Sequence, residues 1–491
     1  MHKAQAFIVA ALAGALALVA GAAATAPVAE SFPASIALVG ATVVDGTGAP
    51  PRTDAVVVLS HGRIACVGPK ETCSFPDPTI EIDLHGKWVT PGLVDAHVHF
   101  SQTGWADGRP DSLDVRDLYP YAEVEDRLDR HAERFFDAHL CSGTTTVFDV
   151  GGYPWTFDLP RRAEARGRAP RVRVAGPLLS TWDFWLNLPA ERQFLYLANP
   201  QGVRDQVTYL KQRGADAVKV WYIPIEERPA EEMAAVVRKA GEEAARAGLP
   251  LIVHATSLDL AKTALRAGAH YLVHSVGDRP VDEEFLRLAR EVGAVYCPTL
   301  TVARGYLRMD QAALAGKSPE IDDPHGCVDP WTRARIARTA DLGDRVRATG
   351  LTAERLAARD RALAGRETVE ARNLVAVHAA GIPVAMGTDA GNPLTLHGPS
   401  VYAEMEAMEA AGLSPMEVLV AATRGGAKAM GLDEEIGTIE AGKAADLLVL
   451  DADPTASASA FRTVEKVIRA GTVYEVKDLA APTSSKAPEH E

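Results

Sequence analysis

Eight short apolar segments, most of them followed by an amphipathic helical pattern, alternate through the middle of the chain. They cover residues 92–97, 145–150, 172–177, 217–222, 251–255, 271–275, 294–298 and 383–388. Between them lie amphipathic stretches such as 230–247 and 259–267, with glycine near their ends. A strand can reach a parallel neighbour only through a crossover connection, so repeated strand–helix units predict a parallel sheet. Eight of them predict a closed (β/α)₈ TIM barrel, an α/β fold. Residues 304–372, between the seventh and eighth segments, are long and charged. They read as a helical insertion over the mouth of the barrel.

The two ends of the chain are different. Residues 36–39, 55–59 and 63–67, and again 445–450 and 464–469, are β-rich and separated by turn residues. Two β-rich ends flanking one long middle suggest a small β-sandwich domain formed from both termini. The expected organisation is a signal peptide at 1–26, sandwich strands at 35–90, the barrel at 91–430, the remaining sandwich strands at 431–478 and a disordered tail at 479–491. The tail is rich in Pro, Ser and charge.

The leader carries Lys3, an uncharged apolar run over residues 6–24 and a cluster of small residues before Pro27. This is the pattern of a secretory signal with an Ala-rich cleavage region, and it implies a periplasmic or secreted protein. The competing reading is an uncleaved anchor, since the run approaches spanning length. No later stretch is apolar enough to span a membrane, so the mature form is expected off the membrane. With a net charge of −14 the chain is a poor partner for nucleic acid, which wants a basic face. Of the five cysteines, Cys66 and Cys73 flank a Gly68-Pro69 turn and are placed for a bridge. Cys141, Cys297 and Cys327 read as buried or loop thiols, and none has metal-ligand spacing.

In a barrel of this type, side chains at the C-terminal ends of the strands meet at one mouth. The first segment ends in His97-Val98-His99, and residues two apart in an extended chain point the same way, so both imidazoles can face one ion. His254 ends the fifth segment, His274 the sixth and Asp389 the eighth. Lys219 lies inside the apolar fourth segment. A lone histidine at a strand end is more often structural, and a lone Asp after Gly-Thr more often a turn former or cap. An unpaired buried ammonium is costly, and its ordinary explanation is an ion pair. Here four His, one Lys and one Asp share one layer of an independently expected barrel, and the joint reading is a functional site.

This pattern resembles the amidohydrolase superfamily, in particular its imidazolonepropionase-like and Xaa-Pro dipeptidase-like branch. The resemblance spans nearly the whole mature chain. It begins at Ala41-Thr42-Val43-Val44-Asp45-Gly46 and includes the highly specific Pro91-Gly92-Leu93-Val94-Asp95-Ala96-His97-Val98-His99. It continues through Gly387-Thr388-Asp389-Ala390-Gly391 to Gly437-Thr438-Ile439-Glu440-Ala441-Gly442. The resemblance implies that His97, His99 and Asp389 bind the more buried of two divalent metal ions and that His254 and His274 bind the second. It also implies that Lys219 is an N6-carboxylysine bridging both, which turns a stranded cation into an anion facing metals. Members that work with one metal lack this lysine. Zinc is the first choice of ion, and the ligand set does not separate it from iron, manganese or cobalt. Two cations sharing a water would lower its pKa and give hydroxide near neutral pH. Asp389 would take the proton as general base and pass it to the leaving amine.

The expected reaction is cleavage of a carboxamide or peptide bond in a small molecule, of dipeptide or N-acyl amino acid type. Alternatives are a cyclic amidase or deaminase, or a lactone or ester hydrolase, of the same superfamily. From another class, a non-catalytic metal-binding protein on the same fold is a further alternative, with no evident need for Lys219. Tyr222, just past Lys219, matches a substrate-binding Tyr of the dipeptidase-like relatives. His397 is placed either for substrate or for support of a ligand. Aromatics at Tyr153, Trp155, Trp182, Phe184, Trp185 and Trp221 could line the pocket or merely pack. The remaining histidines, His139 among them, read as structural or surface. Homo-oligomer formation stays open.

Overall fold

The computed structural model describes residues 35–75, 78–109, 112–183 and 193–482. The leader, Phe184 and Trp185, and residues 483–491 of the expected tail lie outside them. Five strands come first: β1 (Ser35–Val43), β2 (Arg52–Ser60), β3 (Arg63–Gly68), β4 (Thr79–Asp83) and β5 (Trp88–Pro91). The middle supplies β6 (Leu93–Val98), β7 (Thr144–Asp149), β8 (Arg171–Val174), β9 (Leu178–Ser180), β10 (Phe194–Tyr196), β11 (Val218–Trp221), β12 (Leu251–His254), β13 (Ala269–Val273) and β14 (Val295–Cys297). The end adds β15 (Leu447–Leu450), β16 (Val464–Arg469) and β17 (Thr472–Glu475).

Strands from the two ends join, as their composition suggested. The outcome is one continuous sheet in the order β17-β16-β15-β5-β1-β2-β3, with β4 parallel to β1, rather than two separate sheets of a sandwich. The junction is β5, which pairs antiparallel with β15 and parallel with β1. Leu38, Val43, Val57, Leu59, Val89, Leu447 and Val449 bury one shared apolar face. Burying it replaces water contact at about 25 cal/mol per Å², which neither terminal segment could achieve alone. Leu448 faces the other way and packs with Leu93 and Leu140 against the barrel layer.

The middle strands are parallel but form two sheets, β6-β7-β8 and β10-β9-β11-β12-β13-β14. The expected closed eight-stranded barrel is therefore corrected in two places. The third segment stops at Gly176, whose φ is 71°, and Pro177: β8, in its first part, pairs with β7, and β9, which begins just after it, pairs with β11. The eighth segment is no strand. It touches its neighbours through single bridges, Tyr296 with Val384 and Val98 with Ala390. Between these bridges the Met386 N–H donates to Ala421 O, 3.0 Å away, which takes it out of any ladder. Gly387 lets this segment press close: a Cβ there would stand 2.7 Å from both Cys297 Sγ and His97 Cβ.

The charged insertion is helical as expected, with helices Val302–Leu314, Pro330–Ala337, Gly343–Ala348 and Ala353–Ala379. Cys66 and Cys73 form a disulfide. Cys141 and Cys327, expected as free thiols, also form one, and it ties the insertion to the end of helix Glu133–Cys141. Their sequence separation of 186 residues hides the pairing from local reading. Cys297 is a buried free thiol, as expected.

Candidate metal centre

β6 delivers His97 within its last turn of pleat and His99 just beyond it. The residue before Ala390 meets them by backbone bonding: Asp389 N–H donates to His97 O at 2.7 Å and His99 N–H donates to Ala390 O at 2.8 Å. The two Nε2 atoms lie 3.3 Å apart. Asp389 Oδ1 is 3.3 Å from His97 Nε2 and 3.0 Å from His99 Nε2. All three residues are buried. His99 Nδ1 donates to Gly151 O at 2.6 Å, which leaves the lone pair on Nε2. Burial holds the His97 imidazole well below its usual pKa, and its Nδ1 has no hydrogen-bond partner. Imidazole nitrogens turned on one carboxylate oxygen form a donor set that a divalent cation satisfies and a buried apolar core does not.

A second group stands beside it. His254 closes β12, and His274 follows β13. Their rings lie 4.3 Å apart, and the His97 and His274 rings 5.0 Å apart. His274 Nδ1 is 2.7 Å from Thr299 Oγ1 and 3.9 Å from Asp389 Oδ2. Burial, with Lys219 second, pushes His254 down to about 3, and burial likewise holds His274 well below its usual range. Lys219 points inward from β11, 1% exposed. Burial lowers it to about 8, against the pull of Asp389, Cys297 and Asp149. Among the described residues no acceptor bonds or pairs with its ammonium. The structure thus brings all six strand-layer residues into one cluster. His274, Thr299 and Asp389 have φ values of 72°, 45° and 59°, a left-handed backbone that non-glycine residues adopt at a cost of about 1–3 kcal/mol each. Such a cluster of strain persists only where surrounding structure enforces it.

The enforcing groups are buried acids that the strand-end reading missed. Asp95 accepts from Thr388 N at 2.9 Å, Thr388 Oγ1 at 2.6 Å and His97 N at 3.3 Å, clamping the eighth segment to β6. Burial pushes its carboxyl up to about 7. Asp149 accepts from Phe100 N and Gly151 N, which fixes the carbonyl that orients His99. Glu404 accepts from Leu300 N, Thr301 N and Thr301 Oγ1. Asp95 stands in the quoted family string and Asp149 ends a strand, so both left a signal in the sequence.

The cluster opens into a cavity of about 450 Å³. Leu178, Phe194 and Trp221 form an apolar wall; Tyr306, Arg366 and Glu370 of the insertion form the rim. Trp182 stacks on Trp221, with centroids 6.5 Å apart. Tyr222 is not in the cavity: strand alternation turns Lys219 and Trp221 inward and Tyr222 outward, into the core. His397 is also absent from the lining. Its Nε2 donates to Gln102 O at 3.2 Å, its Nδ1 is 3.3 Å from His139 Nε2, and its ring stacks on Phe135. It is a positioning residue for the Gln102 turn, and His139, expected as structural, supports it. Tyr153 packs with Tyr121 and Trp155 in a satellite cluster away from the cavity.

Residues 88–474 match the model of the Amidohydrolase family. The imidazolonepropionase of Rhizorhabdus wittichii is 27% identical over 432 residues, 81% of this chain and 88% of that protein. Among solved structures, a Xaa-Pro dipeptidase with bound methionine in the active site is 21% identical with a TM-score of 0.65, over 90% of this chain and 100% of that one. Molinate hydrolase is 23% identical with a TM-score of 0.67, over 94% and 98%. These two likenesses show the fold.

Proposed function

The chain belongs to the amidohydrolase family and is a hydrolase of amide-type carbon–nitrogen bonds in small molecules, and from that premise we propose that it cleaves N-acyl amino acids or dipeptides at a two-metal site. The carrying observation is the convergence of His97, His99 and Asp389 with His254, His274 and Lys219 at one cavity. His97, His99 and Asp389 would hold one ion; His254 and His274 would hold the other. Lys219, carboxylated, would serve both: burial with no partner among the described residues is what an ammonium avoids and what a carbamate facing cations would relieve. Mixed imidazole and carboxylate donors favour zinc. When bound, the ions supply Lewis acidity, acidifying a water and polarising a carbonyl.

The chain's own residues do the rest. Asp389 turns Oδ1 to His97 and His99, while Oδ2 looks toward His274. Oδ2 would take the proton of the attacking water and return it to the leaving nitrogen. Thr299 and Gly151 fix the rings of His274 and His99, so no reorganisation is needed as the reaction proceeds. The apolar wall would take an apolar acyl group of the substrate.

Export of the mature chain belongs to the same reading. The leader composition and the two disulfides both suit an oxidising compartment. The test is a hydrolysis screen of dipeptides and N-acyl amino acids with metal-loaded protein and Asp389→Asn as control. Turnover by the wild type alone is expected. Activity surviving in the variant removes Asp389 from its role. A second reading, a cyclic amidase, is favoured by the likeness to an imidazolonepropionase. Cleavage of cyclic amides alone, with one metal per chain and an unmodified Lys219, would establish it instead.

A further inference from the structure

Two arginines line the cavity, and they are built differently. Arg109 donates to Gln102 Oε1 and to Tyr306 Oη. Arg366, on helix Ala353–Ala379, donates through Nε to Glu370 Oε1 at 2.6 Å. Among the described residues, no acceptor engages its Nη1 or Nη2. Glu370 is 5% exposed, so the guanidinium is anchored from behind by a buried carboxylate.

The pair is packed hard onto the loop after β13. A Cβ on Gly277 would stand 2.6 Å from Arg366 Nε and 2.7 Å from Glu370 Oε1, so only glycine leaves room for it. Gly277 N–H in turn donates to Thr256 O, two residues past His254. Two turns further along the helix, Asn373 Nδ2 donates to Val276 O and Arg279 O, and Asn373 Oδ1 accepts from Val281 N. The arm is therefore fixed to the loops that follow His254 and His274. A guanidinium anchored at Nε by a buried carboxylate, with Nη1 and Nη2 open, is a ready fork for a carboxylate.

We propose that Arg366 is the substrate-carboxylate anchor and that the substrate class is an N-acyl amino acid with an apolar or aromatic acyl group. The acyl group would lie on Leu178, Phe194 and Trp221, opposite the rim. Each lining carboxylate already faces a cation or an imidazole, so none is left whole to pair with a free α-amino group. Among the described residues the lining carboxylates are Asp389, committed to the imidazoles, and Glu370, committed to Arg366. This deepens the hydrolase reading and rests on it.

The experiment follows benzoate release from N-benzoylglycine and N-benzoylglycinamide, and cleavage of the free-amine dipeptide phenylalanylglycine, by metal-loaded protein. The expected wild-type preference in kcat/KM for the acid over its neutral amide is about 10- to 100-fold, the scale of a charge-assisted bidentate contact, with phenylalanylglycine the poorer acid. Arg366→Met should bring the acid-to-amide ratio close to one by raising KM for the acid. Because Arg366→Met strands Glu370, the double variant Arg366→Met with Glu370→Gln is run beside it. An unchanged ratio in both variants overturns the anchor, and phenylalanylglycine as the better acid overturns the substrate class. Calorimetric binding of the acid and the amide separates the two levels. If no probe is turned over, the hydrolysis reading fails. Acid binding weakened about tenfold or more by the variants still supports Arg366, and equal binding overturns it.

Discussion

The floor of the cavity and its rim hold their side chains by different means. On the floor, His97, His99 and Asp389 hang from backbone whose N–H and C=O groups bond directly across to one another, with Asp95 and Asp149 buried beneath. On the rim, Tyr306 and Arg366 hang from helices of the insertion. Those helices are held by side-chain contacts: Arg304 with Glu367 and Asp360, Asn373 with the 276–281 loop, and the Cys141–Cys327 bridge. Backbone-to-backbone bonding fixes atoms with few rotatable bonds between them, so the floor suits chemistry. Side-chain fastening tolerates change of sequence, so the rim suits selection of substrate.

If that division is real, the largest effect comes from the floor. Asp389→Asn keeps the size of the side chain and removes the base, so kcat should fall by about 10²- to 10⁴-fold with the circular dichroism unchanged. A loss confined to KM would move Asp389 to the binding side of the comparison. Next comes the second group. Lys219→Met fills the same buried space without a nitrogen. It should cost about 10²-fold or more in kcat and lower the zinc content measured by mass spectrometry from two ions per chain toward one. Full activity and unchanged metal content would make Lys219 a structural residue and favour the cyclic-amide reading.

The rim should fail in stability before it fails in catalysis. Replacing Cys141 and Cys327 together by serine opens a connection across 186 residues. The expected loss is about 2–4 kcal/mol of unfolding free energy, read from urea titration, while kcat stays at the wild-type level. A large fall in kcat with little loss of stability would show that the insertion shapes the floor as well.

The same division explains what the sequence disclosed. The six floor residues were legible because strand ends in a parallel α/β layer share one mouth, whatever happens between them. Tyr222 was misplaced by one residue, and the two-residue period that places Lys219 inward already sends Tyr222 outward. His397 follows Asp389 closely in sequence but turns into the Phe135 cluster, which only tertiary packing decides. Barrel closure failed at Gly176-Pro177, turn residues visible in the chain, and at Met386, whose bond to Ala421 only tertiary packing decides. Arg366 and Tyr306 had no signal, since a charged helical insertion presents many equivalent arginines until its docking is known.

Glu404 joins floor and rim, and it gives the smallest and most specific prediction. It lies on helix Ser400–Ala410 and holds Leu300 N at 2.7 Å and Thr301 N at 3.0 Å, at the start of the helix that carries Tyr306. Burial raises its carboxyl to about 7, with the Asp95 charge adding to the effect. A carboxyl whose folded pKa exceeds its unfolded value binds its proton more tightly when folded. Its contribution therefore favours the folded state below the unfolded value, near 4.5, and is lost as pH rises to about 7. Glu404→Gln has no proton to lose, so its stability should fall less steeply with pH across that window. The difference in slope is at most about 1.4 kcal/mol per pH unit, the limit for a single proton. Asp149 titrates in both proteins and cancels in the difference curve, whereas Asp95 couples to Glu404 and cancels only in part. Parallel curves from urea unfolding between pH 4.5 and 7 would mean that Glu404 stays ionised in the fold, held by its three donors rather than by a proton.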